Sequence, residues 1–223
     1  RVYCDMGLFT ADEEIGADAT EFFNMLIGSY EPTIWRKLVV APTGLRTRLK
    51  ELIDREIKFA EAGKGGHLIA KMNSLVDKEI ILKLYEASYK GVKIELIVRG
   101  ICSLRPGLSG LSENITVRSI VGRFLEHHRI IYVANGGMDE MYLSSADWMK
   151  RNLSDRVELL FPINEEKNII RIKNMLKIML KDNCKAYIMK SDGNYRHSLH
   201  RGKEINSQKE LCQEAESRAR NLI

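Results

Sequence analysis

The chain has 223 residues, of which 44% are hydrophobic and 29% charged, a composition typical of a globular protein with one domain or one domain and part of another. Its formal net charge of +5 favours anionic partners, but it does not distinguish nucleotide, polyphosphate, nucleic acid or a membrane surface from the surface of an ordinary basic protein. No apolar run approaches the roughly 20 residues that span a bilayer, and the four cysteines form neither a zinc-type pair nor a disulfide framework, which favours reduced thiols in the cytoplasm.

The first 37 residues are predicted to be the end of a preceding unit. Arg1 to Leu8 is typical of a strand, and the stretch 11–27 has apolar residues at helical spacing. Because the sequence opens inside a predicted strand, with arginine instead of methionine, we expect the chain to be part of a longer protein.

From residue 38 onward, short apolar runs alternate with amphipathic stretches. Strands are predicted at 38–41, 67–72 and 92–98, with helices at 43–61 and 77–90 between them. This alternation predicts an α/β fold with a mixed, mainly parallel sheet flanked by helices. Ligands in such folds bind beyond the carboxyl ends of the strands, where Lys71-Met72-Asn73 and Arg99-Gly100 stand.

The second half is predicted to contain shorter strands and one further helix. The predicted strands are 115–117, 129–133, 141–144 and 157–162, and the helix is 165–180. Asn135-Gly136-Gly137 predicts a hairpin between two of these strands. The tail from about residue 190 is polar.

The most suggestive chemical cluster is the run 123–129 followed by the run 142–148. His127 precedes one predicted strand and the Ser144-Ser145-Ala146-Asp147 turn follows the next, so both can face one pocket. Imidazole can transfer a proton or attack phosphorus, and serine hydroxyls with turn N–H groups can hold phosphate oxygens. A pair of histidines is nevertheless more often structural or simply exposed, and the residues alone leave that alternative open.

Arg99 follows an apolar strand, and its planar guanidinium suits two phosphate oxygens at once. An ion pair with a carboxylate such as Glu113 explains this arginine equally well, and Lys71 and Asn73 leave the same two alternatives. The sequence contains no GxxxxGK[ST] loop, no GxGxxG, no GxSxG elbow and no metal-ligand spacing of carboxylates.

Five segments, in one continuous order from Val2 to about Ile163, resemble the long-chain polyphosphate kinase family. They are Tyr3–Asp12, Asn73–Lys78, Ile97–Gly107, Arg118–His127 and Tyr142–Met149, the last followed by Arg151-Asn152. Five motifs in the same order are far more specific than any single pattern.

The resemblance implies a fold related to phospholipase D, in which two similar domains each bring a histidine motif to a shared active site. On that basis residues 1–37 are the remnant of the preceding catalytic domain, and residues 38–223 are the C-terminal catalytic domain with its polar tail. The implied reaction transfers the γ-phosphate of ATP to a histidine and then, reversibly, to polyphosphate. That histidine is expected upstream of Tyr3, so we expect the chain by itself to be inactive.

Three residues take roles from the resemblance by position. Tyr3 resembles the tyrosine that contacts the nucleotide, and Arg99 resembles the arginine on its phosphates. His127 resembles the second histidine, a catalytic acid–base or phosphate-binding partner. No metal ligand is expected in this chain, because Mg²⁺ would be held mainly by the missing domain and by ATP.

The resemblance also implies partners and a location. ATP or ADP and inorganic polyphosphate are the expected ligands of a homo-oligomeric protein, and nucleic acid is not expected. The location implied is cytoplasmic, and peripheral association with the inner face of the membrane is compatible with the resemblance.

Two departures bear on the alternatives. Cys4 stands where the family usually has threonine, and the phospholipase pattern HxKxxxxD is only partly met, with Arg129 replacing lysine and Ala134 replacing aspartate. Polyphosphate kinases share the second departure, so it disfavours a phosphodiesterase or nuclease. A non-enzymatic module that binds polyanions is the other alternative.

Overall fold

A large mixed sheet organises the chain. The computed structural model describes residues 2–28, 34–198 and 202–220. The strands are β1 (Val2–Cys4), β2 (Val39–Ala41), β3 (His67–Met72), β4 (Lys93–Val98), β5 (Ile115–Ile120), β6 (Phe124–Glu126), β7 (Arg129–Val133), β8 (Glu140–Ser144), β9 (Glu158–Ile163), β10 (Ala186–Met189) and β11 (Tyr195–His197). The helices are α1 (Glu13–Leu26), α2 (Leu45–Glu61), α3 (Lys78–Tyr89), α4 (Glu166–Lys181) and α5 (Ser207–Arg220), with a short π-helical turn at Arg151–Asp155.

Within the described residues, the large sheet has the strand order β11-β10-β5-β4-β3-β7-β8-β9-β2, and β1 pairs separately with β6. The predicted mixed α/β fold with flanking helices is confirmed, but the expectation of a mainly parallel sheet is wrong. Only β3–β4 and β4–β5 are parallel among the described pairs of this sheet. The short turn 134–139 makes β7 and β8 antiparallel neighbours, because a parallel pair needs a long crossover connection.

Helices cover both faces of the sheet because successive strand residues point to opposite sides. Leu68 and Ala70 of β3 pack with the apolar stripes of α2 and α3, whereas Ile69 packs on the other side with α4. Asp77 starts α3 by accepting a hydrogen bond from the N–H of Ile80. The core therefore lies in two layers, one on each face of the sheet.

Most predicted elements are confirmed within a residue or two. The strand predicted over 1–8 ends at Cys4, and β5 continues to Ile120, beyond the predicted 115–117. The sequence did not predict β6, β10, β11 or α5. Within the described residues, the polar tail supplies β11, which forms a hairpin with β10 beside β5, and the helix α5.

A buried carboxylate joins α1 to the sheet domain. Asp18 is fully buried and accepts hydrogen bonds from the backbone N–H groups of Arg36, Lys37 and Leu38 at 2.7 to 3.1 Å. Burial opposes ionisation, but these three donors outweigh it and hold the pKa of Asp18 below its ordinary value. This contact fixes α1 relative to the segment that leads into β2.

We expect Asp18→Asn to lower the free energy of unfolding by about 2 kcal/mol, because buried backbone donors lose their charged acceptor. Denaturant unfolding at pH 7 measures this, with exposed Glu13→Gln as the charge-matched control. The deficit should shrink as the pH falls through the lowered pKa of Asp18, because protonation removes the same stabilisation from the unsubstituted chain. Equal stability of Asp18→Asn and the unsubstituted chain at pH 7 would contradict the role of this contact.

Candidate active site

One edge of the sheet gathers several strand ends. The carboxyl ends of β3, β4 and β8 meet the amino ends of β7 and β9 there, as their pairing register requires. A cavity of about 640 Å³ opens at this edge. Tyr3, Arg99 and His127, which are the three residues singled out from the sequence, all line it. The other polar residues in its wall are Asp5, Asn73, Ser74, His128, Arg129, Ser144, Ser145, Asp147, Arg151, Asn152, Arg156 and Glu158.

The loops that follow β3, β4 and β8 are hydrogen-bonded to one another. Leu75 forms bridges with both Cys102 and Trp148, so the middle of three loops is held on either side. Gly100 allows the closest approach, because a Cβ there would lie 2.9 Å from the carbonyl oxygen of Asn73. The rim of the pocket is consequently built from paired backbone, with little freedom to shift.

Asp147 connects the backbone of this rim to a side chain of the pocket. Its Oδ1 accepts hydrogen bonds from the N–H groups of Asn73 at 2.7 Å and Ser74 at 3.3 Å. The same carboxylate receives Nε and Nη2 of Arg129 at 3.2 and 3.1 Å. Both Asp147 and Arg129 are buried. Removing either member would leave the other charge buried and uncompensated, so the pair is strongly interdependent.

His127 is placed by a small two-stranded sheet. β1 runs parallel to β6, and the N–H of His127 donates to the carbonyl oxygen of Cys4 at 2.8 Å. This pairing also brings the Tyr3 ring edge-on to the imidazole, with centroids 5.8 Å apart. Tyr3 stays largely exposed, so its ring is available at the mouth of the pocket.

Two charged groups contact the imidazole of His127. Asp5 Oδ2 lies 2.9 Å from Nδ1, and Arg129 Nη1 lies 3.0 and 3.1 Å from the two ring nitrogens. Partial burial opposes ionisation of Asp5, but hydrogen bonds from His127 and the N–H of Met6 outweigh it and lower the pKa of that carboxyl. If Nδ1 donates its proton to Asp5, then the lone pair of Nε2 accepts a hydrogen bond from Arg129.

Arg99 is held in place by Asn73 and not by a carboxylate. Its Nε and Nη2 donate to Oδ1 of Asn73 at 2.9 and 2.6 Å. The alternative of an ion pair with Glu113 is wrong, because that carboxylate instead accepts from Ser109 and no ion pair to Arg99 occurs among the described residues. Arg99 therefore keeps its positive charge uncompensated at the pocket.

Arg151 and Arg156 add two exposed guanidinium groups to the same wall. Neither has a carboxylate within ion-pair distance in the part of the chain that the structure describes. Together with Arg99 they give the pocket three guanidinium groups that have no ion-pair partner among the described residues, an arrangement that favours an anionic ligand.

The serine turn lines the pocket as expected, but its hydroxyl groups are engaged within the protein. Ser144 Oγ donates to the carbonyl oxygen of Leu159 at 2.8 Å, and Ser145 Oγ is hydrogen-bonded to the carboxylate of Glu158. These contacts join the turn to β9. The hydroxyls thus serve to shape the pocket, and neither has a free proton to offer to phosphate.

Lys71 is directed away from the pocket, although the sequence left it as a phosphate-binding alternative. Its ammonium group is buried and lies 3.2 Å from Oε2 of Glu126. Burial lowers the pKa of Lys71, while Glu126 opposes that shift. The ion-pair interpretation is the correct one for Lys71. Lys71 is not among the residues that line the cavity.

His128 is the buried neighbour of His127 and differs from it electrostatically. Its Nε2 has no hydrogen-bond partner among the described residues, and Glu126 Oε2 lies 4.0 Å away. Burial first, and then the positive charge of Lys71, lower its pKa to about 3. His128 is consequently a neutral packing residue at physiological pH.

The residues of this pocket do not fit a magnesium site. Asp5, Asp147 and Glu158 each already receive hydrogen bonds from protein groups. No group of three or more His, Cys, Asp or Glu side chains with metal-binding geometry occurs among the residues that the structure describes.

Within the same ranges, no helix is both long enough and apolar enough to cross a bilayer.

Several pocket residues received no role from the sequence. Asp5, Arg129, Asp147 and Arg151 all lie inside segments that carried the family resemblance or adjoin them, but no local pattern states what they contact. Their functions depend on pairing between distant strands, as between β1 and β6. Membership of a shared motif was the only signal available.

The fold is similar to that of a phospholipase D family member of known structure. A solved structure of Nuc from Salmonella typhimurium, a phospholipase D family member, superimposes with a TM-score of 0.50 at 14% identity, covering 70% of this chain and 97% of that one. That likeness concerns the fold alone. A sequence model described as Polyphosphate kinase C-terminal domain 2 matches residues 38–208, which is most of the chain. The chain belongs to the polyphosphate kinase family.

Proteins named polyphosphate kinase are similar to this chain in sequence and in structure. A polyphosphate kinase of Halalkalibacterium halodurans is 56% identical over 197 residues, covering 88% of this chain and 28% of that protein. One of Lactiplantibacillus plantarum is 50% identical over 215 residues, covering 96% and 30%. The crystal structure of polyphosphate kinase from Porphyromonas gingivalis superimposes with a TM-score of 0.91 at 38% identity, covering 95% and 33%. The chain thus spans about a third or less of each of these relatives.

We expect the free energy of unfolding to fall less steeply between pH 6.5 and pH 4.5 in His128→Asn than in the unsubstituted chain. In the unfolded chain this histidine has its ordinary pKa of about 6.5, whereas in the folded chain its pKa is about 3. The stability that depends on neutral His128 is therefore complete above about pH 6.5 and is lost, at about 1.4 kcal/mol per pH unit, as the pH falls toward 3. Asp5, Glu126, Lys71 and Arg129, the charged groups around it, remain in the variant.

Denaturant unfolding from pH 7.5 to 4.5 measures the slope. The comparison at pH 7.5, where the histidine is neutral in both states, supplies the packing cost of the substitution as its own control. Parallel curves for His128→Asn and the unsubstituted chain across this range would show that His128 does not titrate as its burial requires.

Proposed function

We propose that this chain is the C-terminal catalytic portion of a polyphosphate kinase and forms one wall of its active site. The observation that carries the proposal is the convergence of Tyr3, Arg99 and His127 on one positively charged cavity. The membership of the chain in the polyphosphate kinase family supplies the substrates proposed for that cavity, which are ATP or ADP and inorganic polyphosphate.

In the proposed reaction, a histidine nitrogen elsewhere in the enzyme attacks the γ-phosphorus of ATP. The bond between that phosphorus and the bridging oxygen breaks, and ADP leaves with the electron pair. A terminal oxygen of polyphosphate then attacks the phosphohistidine, and the P–N bond breaks to return the free imidazole. Each step runs in reverse when polyphosphate and ADP are in excess.

The wall formed by this chain would act by position and charge. Phosphoryl transfer spreads negative charge over non-bridging oxygens, which preorganised cations stabilise. Arg99 is suited to this because Asn73 fixes its orientation while leaving its charge uncompensated. Arg151 and Arg156 extend the positive surface along which a polyphosphate chain can lie. Tyr3 would contact the nucleotide at the mouth of the pocket.

His127 would hold or transfer a proton at the phosphate. Asp5 orients the ring through Nδ1, while Nη1 of Arg129 lies close to both ring nitrogens and restricts the position of the ring. A protonated imidazole can donate to a phosphate oxygen, and the neutral form can accept a proton from an attacking group. Mg²⁺ is proposed to enter with the nucleotide, since the carboxylates of this wall are occupied.

A phosphodiesterase of the phospholipase D type is the second candidate that the sequence left open, and the contacts of Arg129 disfavour it. This residue stands at the lysine position of HxKxxxxD, yet its Nε and Nη2 are committed to Asp147. Ala134, at the aspartate position, lies at the far end of β7, where its N–H donates to the carbonyl oxygen of His67. A module that only binds polyanions is distinguished from the kinase by the experiment below.

We expect the chain to bind tripolyphosphate, and Arg99→Ala to weaken that binding by roughly 10- to 150-fold, because a charged donor to phosphate contributes about 1.5–3 kcal/mol. His127→Ala should weaken binding as well, because it removes an imidazole that lines the same cavity. Calorimetric titration at several KCl concentrations measures both effects, and exposed Arg105→Ala, outside the pocket, is the matched control. Equal affinities in Arg99→Ala and Arg105→Ala would remove Arg99 from the site.

The same variants test catalysis in a complete polyphosphate kinase that carries this chain as its C-terminal part. Arg99→Ala and His127→Ala should each lower polyphosphate synthesis from ATP by roughly 100-fold or more, with the fold retained. The chain alone should bind tripolyphosphate without making polyphosphate, because it lacks the proposed phosphohistidine. Synthesis by the chain alone, or normal synthesis in both variants of the complete enzyme, would contradict the proposal.

A further inference from the structure

We propose that Gln208, on α5, is a positioning residue that fixes β6 and through it His127. Its catalytic consequence rests on the polyphosphate kinase function proposed above, whereas its structural consequence does not. Gln208 lies outside the cavity and contacts none of the groups proposed to touch substrate.

The side-chain amide of Gln208 takes the place of a neighbouring strand. Its Oε1 accepts the N–H of Phe124 at 3.0 Å, and its Nε2 donates to the carbonyl oxygen of the same residue at 3.1 Å. One edge of β6 is hydrogen-bonded to β1. The amide of Gln208 provides hydrogen-bond partners for the backbone on the other edge. An unpaired edge of only three residues would otherwise be free to move.

A second donor of the same amide continues the network inward. Nε2 also donates to Oε1 of Glu126 at 2.9 Å, and Oε2 of that carboxylate pairs with the buried ammonium group of Lys71. Lys71 belongs to β3, in the centre of the large sheet. β6 is therefore held to β3 by an ion pair whose orientation depends on Gln208.

Gly122 leaves the space that the amide occupies. A Cβ at that position would lie 2.3 Å from Oε1 of Gln208, closer than any real contact permits. The requirement for glycine here comes from this close approach and not from an unusual backbone angle.

The position of Gln208 is itself fixed by the start of α5. Asp182, at the end of α4, accepts the N–H and the hydroxyl of Ser207 on its Oδ2 at 2.7 and 2.6 Å. Its Oδ1 accepts three backbone N–H groups, those of residues 184, 185 and 186. α5 is consequently anchored next to β10, one residue before Gln208 reaches over to β6.

His127 follows β6 directly, so its backbone inherits any movement of the strand. Its N–H pairs with β1, and its ring contacts Asp5 on the loop after β1. The position of Arg99 does not depend on the hydrogen bonds of Gln208, because Arg99 is held by Asn73. Loss of the amide of Gln208 should thus displace His127 while leaving the phosphate contact of Arg99 in place.

The structural test is hydrogen exchange in the 223-residue chain. In Gln208→Met, which keeps the length of the side chain but removes the amide, we expect the N–H groups of Phe124 and His127 to exchange about tenfold faster, in line with about 1.4 kcal/mol per lost hydrogen bond. Gln213→Ala is the matched control, since it alters the same residue type on an exposed face of the same helix. Should Gln208→Met not fold, Gln208→Asn, which retracts the amide by one methylene, is measured instead.

The catalytic test uses a complete kinase that carries the chain. Gln208→Met should lower kcat by roughly tenfold, with the KM for ATP changed less than about threefold, because misplacement of a catalytic group affects the transition state more than binding. Faster exchange at Phe124 without any change at His127, or equal loss in Gln208→Met and Gln213→Ala, would overturn the proposal. If the unsubstituted enzyme makes no polyphosphate, then the proposed function fails, and the exchange data still decide whether Gln208 positions His127.

Discussion

The carboxylate of Asp147 is the constraint on which the pocket depends. It follows β8, yet it accepts N–H groups from the end of β3 and the guanidinium of Arg129 at the start of β7. Three segments that are far apart in sequence are thereby fixed within one hydrogen-bonded unit, which the bridges of Leu75 extend to the loop after β4. Because the ion pair is buried, its geometry is tightly constrained and its loss would be costly.

This arrangement separates groups that shape the pocket from groups that stay available to a ligand. Arg129, the serine turn and Glu158 are satisfied by protein contacts, whereas Arg99, Arg151 and Arg156 keep uncompensated charge among the described residues. A site of this kind suits a reaction in which charge develops on non-bridging oxygens, because the cations are in place before the substrate arrives.

The sequence predicted more of the fold than of the site. The apolar periodicities of α2, α3 and β3 depend on burial against the sheet, so their positions were readable locally. β6 and β11 have three residues each and lack a periodicity to detect, and the strand directions around β7 depend on which distant strands pair. Tyr3, Arg99 and His127 were identified because each stands in a family motif, while Asp5, Asp147 and Gln208 act through partners that only the folded chain brings near.

In the proposed function, Arg99 and His127 both contact one bound phosphate chain. A crystal structure of the chain with tripolyphosphate would test this most directly. We expect one anion whose oxygens lie within hydrogen-bond distance of both side chains, with Arg151 or Arg156 along its length and Tyr3 at the open end. Tripolyphosphate bound outside the cavity, or contacting Arg99 with His127 still enclosed between Asp5 and Arg129 and out of reach, would contradict it.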